Sequence, residues 1–264
     1  MDKRTRLAAV LDLLADVDPL SVDHAARRLD VSAATMRRDL DELAAQQLLV
    51  RTRGGARSNG VAYDLPVRYK TASKAADKQR IGLAASRLIP ARAAVGLTGG
   101  TTTTEVARAL AERVRSVPEG NDRAGPDLTL VTNAVNIAME ALVRPNIKVV
   151  LTGGVARAQS YELVGGLARP ALRALSLDVA VLGVGAINTT DGASTDNEEE
   201  ASINALMAQR AERVMVVADA GKLHQRALAR ICGLDQIWTL VTDQSATAEA
   251  LDPFVAAGVA VVRA

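Results

Sequence analysis

Two groups of residues have types and spacings suited to chemistry. The first runs from Leu97 to Glu105, where the chain reads Leu-Thr-Gly-Gly-Thr-Thr-Thr-Thr-Glu. Gly99 and Gly100 let backbone come close to a ligand, while the hydroxyls of Thr98, Thr101, Thr102 and Thr103 and the free backbone N–H groups supply donors. A helix starting there turns the positive end of its dipole toward the loop, so these residues suit a phosphate or a carboxylate. The same sequence also serves as a plain strand-to-helix connection. It is not a Walker A loop, since no Gly-Lys-[Ser/Thr] follows, and it is not the dinucleotide Gly-x-Gly-x-x-Gly. Leu151-Thr152-Gly153-Gly154 repeats its first four residues, and Val131-Thr132-Asn133 closes an apolar run between the two. Farther on, Asp219-Ala220-Gly221-Lys222 offers a lysine that complements a phosphate as a point charge. Asn197-Glu198-Glu199-Glu200-Ala201 offers carboxylates, which equally suit the first turn of a helix through its dipole alone.

The second group is basic. Arg37 and Arg38 are adjacent, Ser32 and Thr35 precede them, and Arg51 and Arg53 flank Thr52 just ahead of Gly54-Gly55. Two adjacent arginines alone do no more than solvate a surface helix; their surroundings point to DNA. Ser32 is placed to cap a helix in which Met36, Leu40 and Leu43 form one apolar stripe, leaving Thr35, Arg37 and Arg38 mostly off it. The preceding segment, Ser21 to Leu29, has its own cap in Ser21 and an apolar set at Val22, Ala25, Ala26 and Leu29. That is helix, tight turn, helix. Leu48 to Val50 and the glycine pair then read as a hairpin, the wing of a winged helix-turn-helix. In such a module the second helix enters the major groove and wing arginines hold phosphates. Ser32, Thr35, Arg37, Arg38, Arg51 and Arg53 are therefore the expected contacts to double-stranded operator DNA.

The elements that position these groups follow from periodicity. Leu7, Val10, Leu11 and Leu14 stripe a support helix that Asp18-Pro19 ends, completing a small N-terminal domain over residues 1–57. Residues 58–74, with Ser-Asn-Gly, Pro66 and no sustained period, read as a linker. Over residues 75–264 helices alternate with short apolar strands, the signature of an α/β domain with a mainly parallel sheet and helices on both faces. Strands are expected over 93–97, 128–132, 147–151, 179–182, 214–218, 237–242 and 259–262. Both Leu-Thr-Gly-Gly turns and the Val-Thr-Asn turn then share one carboxyl edge, where such folds place ligands.

Val31-Ser-Ala-Ala-Thr-Met-Arg-Arg-Asp-Leu40 and Leu49-Val-Arg-Thr-Arg-Gly-Gly-Ala56 resemble, in order, the two hallmark runs of the DeoR family of bacterial transcription regulators. The ordered turns at Gly99–Thr103, Val131–Asn133, Thr152–Gly154, Asn197–Ala201 and Asp219–Lys222 resemble that family's effector domain along nearly all of residues 78–243. The resemblance implies a sugar-isomerase-like α/β fold that binds a phosphorylated sugar or related metabolite. By carry-over, Gly100, Thr101 and Thr102 would hold the phosphate, and Asn133, Gly153, Gly154, Glu199 and Lys222 would line the sugar side. One departure is Thr98, where the family usually has an aspartate, so the ligand is expected to be atypical or the pocket degraded.

Composition bounds the remaining choices. The chain has 264 residues, 48% of them hydrophobic, enough for a small and a medium domain. It contains no long apolar run and no signal-like leader, so neither a membrane partner nor secretion is expected and the protein is read as cytoplasmic. One cysteine and two histidines leave no basis for a metal site or disulfide, and no cofactor is expected. The net charge of +2 is low for a nucleic-acid binder, and from Ala26 to Arg57 seven arginines against four acidic residues leave only +3. Each copy then holds few phosphates, which favours a homo-oligomer, dimer or higher, on paired half-sites. The rival reading is a sugar-phosphate isomerase-like enzyme, which needs a carboxylate base and an enediolate-stabilising group. Related isomerases carry Asp-Gly-Ala-Asp and Lys-Gly-x-Gly loops. Here Gly183-Val-Gly-Ala-Ile187 lacks both aspartates and Leu223 follows Lys222, so metabolite binding without turnover, in a regulator of repressor type, is expected.

Overall fold

The structure, a computed structural model, describes residues 1–46, 48–58, 74–115 and 125–264. They fall into two units, Met1–Ala75 and Ala76–Ala264. The expected linker lies almost wholly outside the described residues.

The first unit contains α1 (Lys3–Asp16), β1 (Leu20–Ser21), α2 (Val22–Leu29), α3 (Ala33–Ala45), β2 (Leu49–Thr52) and β3 (Gly55–Ser58). Side chains satisfy the free N–H groups at each helix start: Asp2 accepts from Thr5, Ser21 from His24 and Ser32 from Thr35. Asp30, at φ 52°, ends α2 in a left-handed turn that leads straight into α3. Leu7, Val10, Leu11 and Leu14 meet Met36, Leu40, Leu43, Leu20 and Leu49 in one core. A polar clamp crosses it: Arg6 Nε donates to Asp39 Oδ2 at 2.6 Å and its Nη2 donates to Oδ1 at 3.2 Å. In the sheet β3 lies between β1 and β2, antiparallel to both. Gly54 turns the hairpin at φ 86°, whereas Gly55 is required for closeness, because a Cβ there would overlap the Leu20 carbonyl.

The second unit is built on seven parallel strands: β4 (Ala94–Leu97), β5 (Leu128–Thr132), β6 (Ile147–Leu151), β9 (Leu177–Gly183), β12 (Ala211–Val217), β14 (Ile237–Thr242) and β15 (Ala260–Arg263). All seven match expected strands, to within two or three residues at their ends. Helices α4 (Ala75–Leu88), α5 (Thr101–Arg115) and α6 (Val135–Leu142) share a core with Val95, Leu97, Leu130, Val181 and Met215. Helices α7 (Arg169–Arg173), α8 (Glu198–Gln209) and α9 (Ala248–Ala256) share the other with Val131, Ala180, Leu182, Val216 and Leu240. Odd and even strand residues thus enter opposite cores, as the two-residue period of a strand demands. Gly96 admits α8 against the sheet, since a Cβ there would come within 2.8 Å of Leu177 Cδ1 and 2.9 Å of Met207 Cγ.

Two small antiparallel sheets have no counterpart among the expected strands: the hairpin β7 (Val155–Ala156) with β8 (Leu163–Val164), and β10 (Ala186–Asn188) with β11 (Gly192–Thr195) and β13 (Ala229–Cys232). Gly192–Thr195 is the middle strand of the second. No described helix is long and apolar enough to cross a membrane.

Candidate functional site

The strand order β15-β14-β12-β9-β4-β5-β6 reverses direction at β4. From β4 the chain builds outward through β5 and β6, then returns to add β9 on the other side of β4. The two connections leave β4 and β9 in opposite directions, opening a crevice beyond their carboxyl ends. The Gly99–Thr103 loop ends β4, and Gly183–Gly185 ends β9.

Hydroxyls pin both flanks of this edge. Thr98 Oγ1 accepts from the Gly183 N–H at 2.9 Å, and Thr132 Oγ1 donates to the Leu97 carbonyl at 2.7 Å. Thr98 is fully buried, and its side chain joins β4 to β9. Gly100, at φ 134°, starts α5; its carbonyl accepts from Thr103 Oγ1 at 3.0 Å and Thr104 Oγ1 at 2.7 Å. The N–H groups of the first turn of α5, from Thr101 onward, have no intrahelical carbonyl to reach. Lys222 follows β12 in a short 3-10 turn, and its Nζ donates to the Val184 carbonyl beside Gly183. The crevice therefore brings together Gly99, Gly100, Thr101, Thr102, Thr103 and Lys222.

Asn133, fully buried at the end of β5, leads to Glu162, which no motif or spacing marks in the sequence. Asn133 Nδ2 donates to Glu162 Oε2 at 2.9 Å. Glu162, only 4% exposed, lies over Gly99, where a Cβ would overlap its side chain. Gly99 thus makes room for Glu162. Asn204 on α8 lies beside this carboxyl, its Oδ1 accepting from Asn133 Nδ2 at 3.4 Å. Burial, with Glu200 as a like charge nearby, raises the Glu162 carboxyl to about 8, against help from Asn133, Asn204 and Arg157. Of the three glutamates opening α8, Glu199 is exposed and Glu200 is buried, with Glu200 Oε1 3.1 Å from Arg157 Nε. The expected Glu199 is thus exposed outside the cluster, which Glu200 joins. The one available signal is spacing, since Glu200 and Asn204 are four residues apart on one helix face. Gly153 and Gly154 sit one strand farther out, at the end of β6, where Gly154 packs against the Val164 backbone.

In the first unit, Arg37 and Arg38 are exposed on α3, and Arg53 is exposed at the hairpin turn. Ser32 and Thr35 hydroxyls lie 2.9 Å apart at the cap. Arg51 is engaged within the unit: its Nε donates to Asp41 Oδ1 at 2.7 Å and its Nη1 to the Gly55 carbonyl, tying the wing to α3.

Residues 73–244 match the family model of the DeoR C-terminal sensor domain, and residues 6–61 match that of the DeoR-like helix-turn-helix domain. The chain belongs to the DeoR family. Its relatives include the HTH-type transcriptional regulator GlpR of Haloferax volcanii, 33% identical over 97% of this chain and 96% of that one. The HTH-type transcriptional repressor GlcR of Bacillus subtilis is 30% identical, covering 92% and 90%. The glycerol-3-phosphate regulon repressor of Escherichia coli is 25% identical over 92% of each. This DeoR-family chain is a DNA-binding transcription regulator with a sensor domain, and the isomerase alternative is set aside.

Proposed function

We propose that the protein represses a carbohydrate or related metabolic operon and releases it in response to a small phosphorylated metabolite. The observation that carries the reading is the Gly100–Thr102 turn at the strand-order reversal, with the Lys222 ammonium one residue beyond the end of β9. Its backbone N–H groups and the α5 dipole suit a phosphate. The relatives named as repressors, one of a glycerol-3-phosphate regulon, support the same direction. Arg37, Arg38 and Arg53 would reach bases or phosphates, with Ser32 and Thr35 at the helix start, while Arg51 acts mainly by holding the wing. The working form is a cytoplasmic homo-oligomer on paired half-sites.

Titrating operator DNA with and without phosphorylated metabolites tests this reading. A shift in affinity of about 5- to 150-fold is expected for the effector; no shift with any candidate refutes metabolite control. Replacing Arg37 or Arg38 by alanine should weaken operator binding and, for each phosphate no longer neutralised, lower the salt slope by about 1. An unchanged slope and affinity would remove both from the interface.

A further inference from the structure

We infer that Glu162 selects the effector: its carboxyl, held over Gly99 by Asn133 and Asn204, binds hydroxyl groups of a polyol chain whose phosphate sits at Gly100–Thr102. This rests on the metabolite reading above and adds the chemical class of the ligand's other end.

Three observations carry it. Glu162 comes from the β7–β8 hairpin, which is fixed at several points. The Tyr161 N–H donates to the Arg157 carbonyl at 2.8 Å, the Arg157 N–H donates to the Glu162 carbonyl at 2.8 Å, and the Leu163 N–H donates to the Asn133 carbonyl at 2.6 Å. Tyr161 holds a left-handed φ of 61°, a conformation unfavourable for a bulky residue, directly before the glutamate. Filling space alone does not call for a carboxyl here, because an apolar side chain would do so without the cost of burying a polar group. Second, the cluster has more acceptors than donors. Glu162 and Glu200 face one guanidinium, that of Arg157, and the buried Asn133 Oδ1 has no hydrogen-bond donor among the described residues. With Glu162 ionised, such a surface repels an anion and accepts hydroxyl protons. Third, it adjoins a donor-rich turn. Glu162 lies over Gly99, and the next residue, Gly100, begins the turn suited to phosphate. One ligand with an anionic end and a hydroxylated end matches both surfaces in a single orientation.

The test is calorimetric titration of the full-length protein with four probes: inorganic phosphate, propyl phosphate, glycerol 3-phosphate and glucose 6-phosphate. Wild type is expected to bind at least one phosphorylated polyol more tightly than propyl phosphate. At pH 9, where Glu162 is ionised, Glu162→Gln should lose about tenfold or more for that polyol while staying within about twofold for inorganic and propyl phosphate, since the interaction removed is a hydrogen bond to a charged group. Glu162→Asp, which keeps the charge but withdraws it from Gly99, should show the same selective loss and serves if the glutamine variant folds poorly. Equal losses for all probes, or polyol binding unchanged in both variants, would overturn the assignment of Glu162 and leave the phosphate reading standing. A wild-type protein that binds none of the four overturns the metabolite reading and this inference with it.

Discussion

Glu162 illustrates what a single residue contributes that composition and spacing do not reveal. Its hairpin has two-residue strands, no periodicity and no motif, so nothing in Ser160-Tyr161-Glu162 marks it in the sequence. The run Glu198-Glu199-Glu200 is visible there, but which carboxylate turns inward depends on helix phase. The Asn197 cap, accepting from the Glu200 N–H at 3.0 Å, sets that phase. Thr98 is visible too, yet its hydroxyl meets a backbone group 85 residues away, a contact only the folded sheet defines. The raised Glu162 value has a thermodynamic outcome. Unfolded glutamate ionises near 4.5 and folded Glu162 near 8, so between those values the folded state holds a proton the unfolded state has released. Stability contributed by this group is full below about 4.5, falls as pH rises toward 8 and is level above it. Glu162→Gln should flatten that decline in a profile of melting temperature against pH; identical slopes in the two proteins would exclude Glu162 as the source. In the first unit, Arg6→Ala leaves the Asp39 carboxylate buried without its partner. A cost of about 3 kcal/mol is expected, the lower end for a buried pair because Arg6 keeps some contact with water. Urea unfolding of the helix-turn-helix unit measures it.

Among the elements, the legible ones are those whose surroundings are uniform. Every strand of the large sheet contains an apolar run because it is covered on both faces or closes an edge of a covered sheet, and those runs place all seven. The polar start of β12 at Glu212 and Arg213 lies outside its run. β10, β11 and β13 are three or four residues long, and Gly192-Ala-Ser-Thr195 is too small and polar to read as a strand; their partners, not their composition, make them strands. Helix α8 shows how an element transmits its position to the cluster. It lies close to β4 because Gly96 has no side chain, and the same helix carries Glu200 and Asn204. Gly96→Ala should therefore push α8 outward at a cost of about 1–3 kcal/mol and weaken the Asn204 contact with Glu162. The urea midpoint of the sensor unit reports the first effect, and a larger pH dependence of its melting reports the second, because Asn204 holds the Glu162 carboxyl down. A variant with wild-type midpoint would show that Leu177 and Met207 yield without strain.

At the scale of the whole molecule, a net charge of +2 and a local surplus of +3 around α3 and the wing limit the affinity of one copy for DNA. Binding to a duplex with two half-sites should exceed binding to one half-site by far more than twofold, and the half-site separation should be near a helical turn or a multiple of it. Equal affinity for both duplexes would mean that a single winged unit is sufficient. The return of the chain to β4 also governs the order in which the protein can be made. The first unit ends at residue 75, and β4, β5 and β6 can pair as soon as residue 151 has emerged, but the β9 side of β4 remains an open edge until residues 177–183 arrive. Domains fold as units from the N-terminus during synthesis, and an unpaired strand edge invites aggregation meanwhile. On a translating ribosome, the unit that reads DNA is thus complete while the crevice proposed to govern it still lacks one wall.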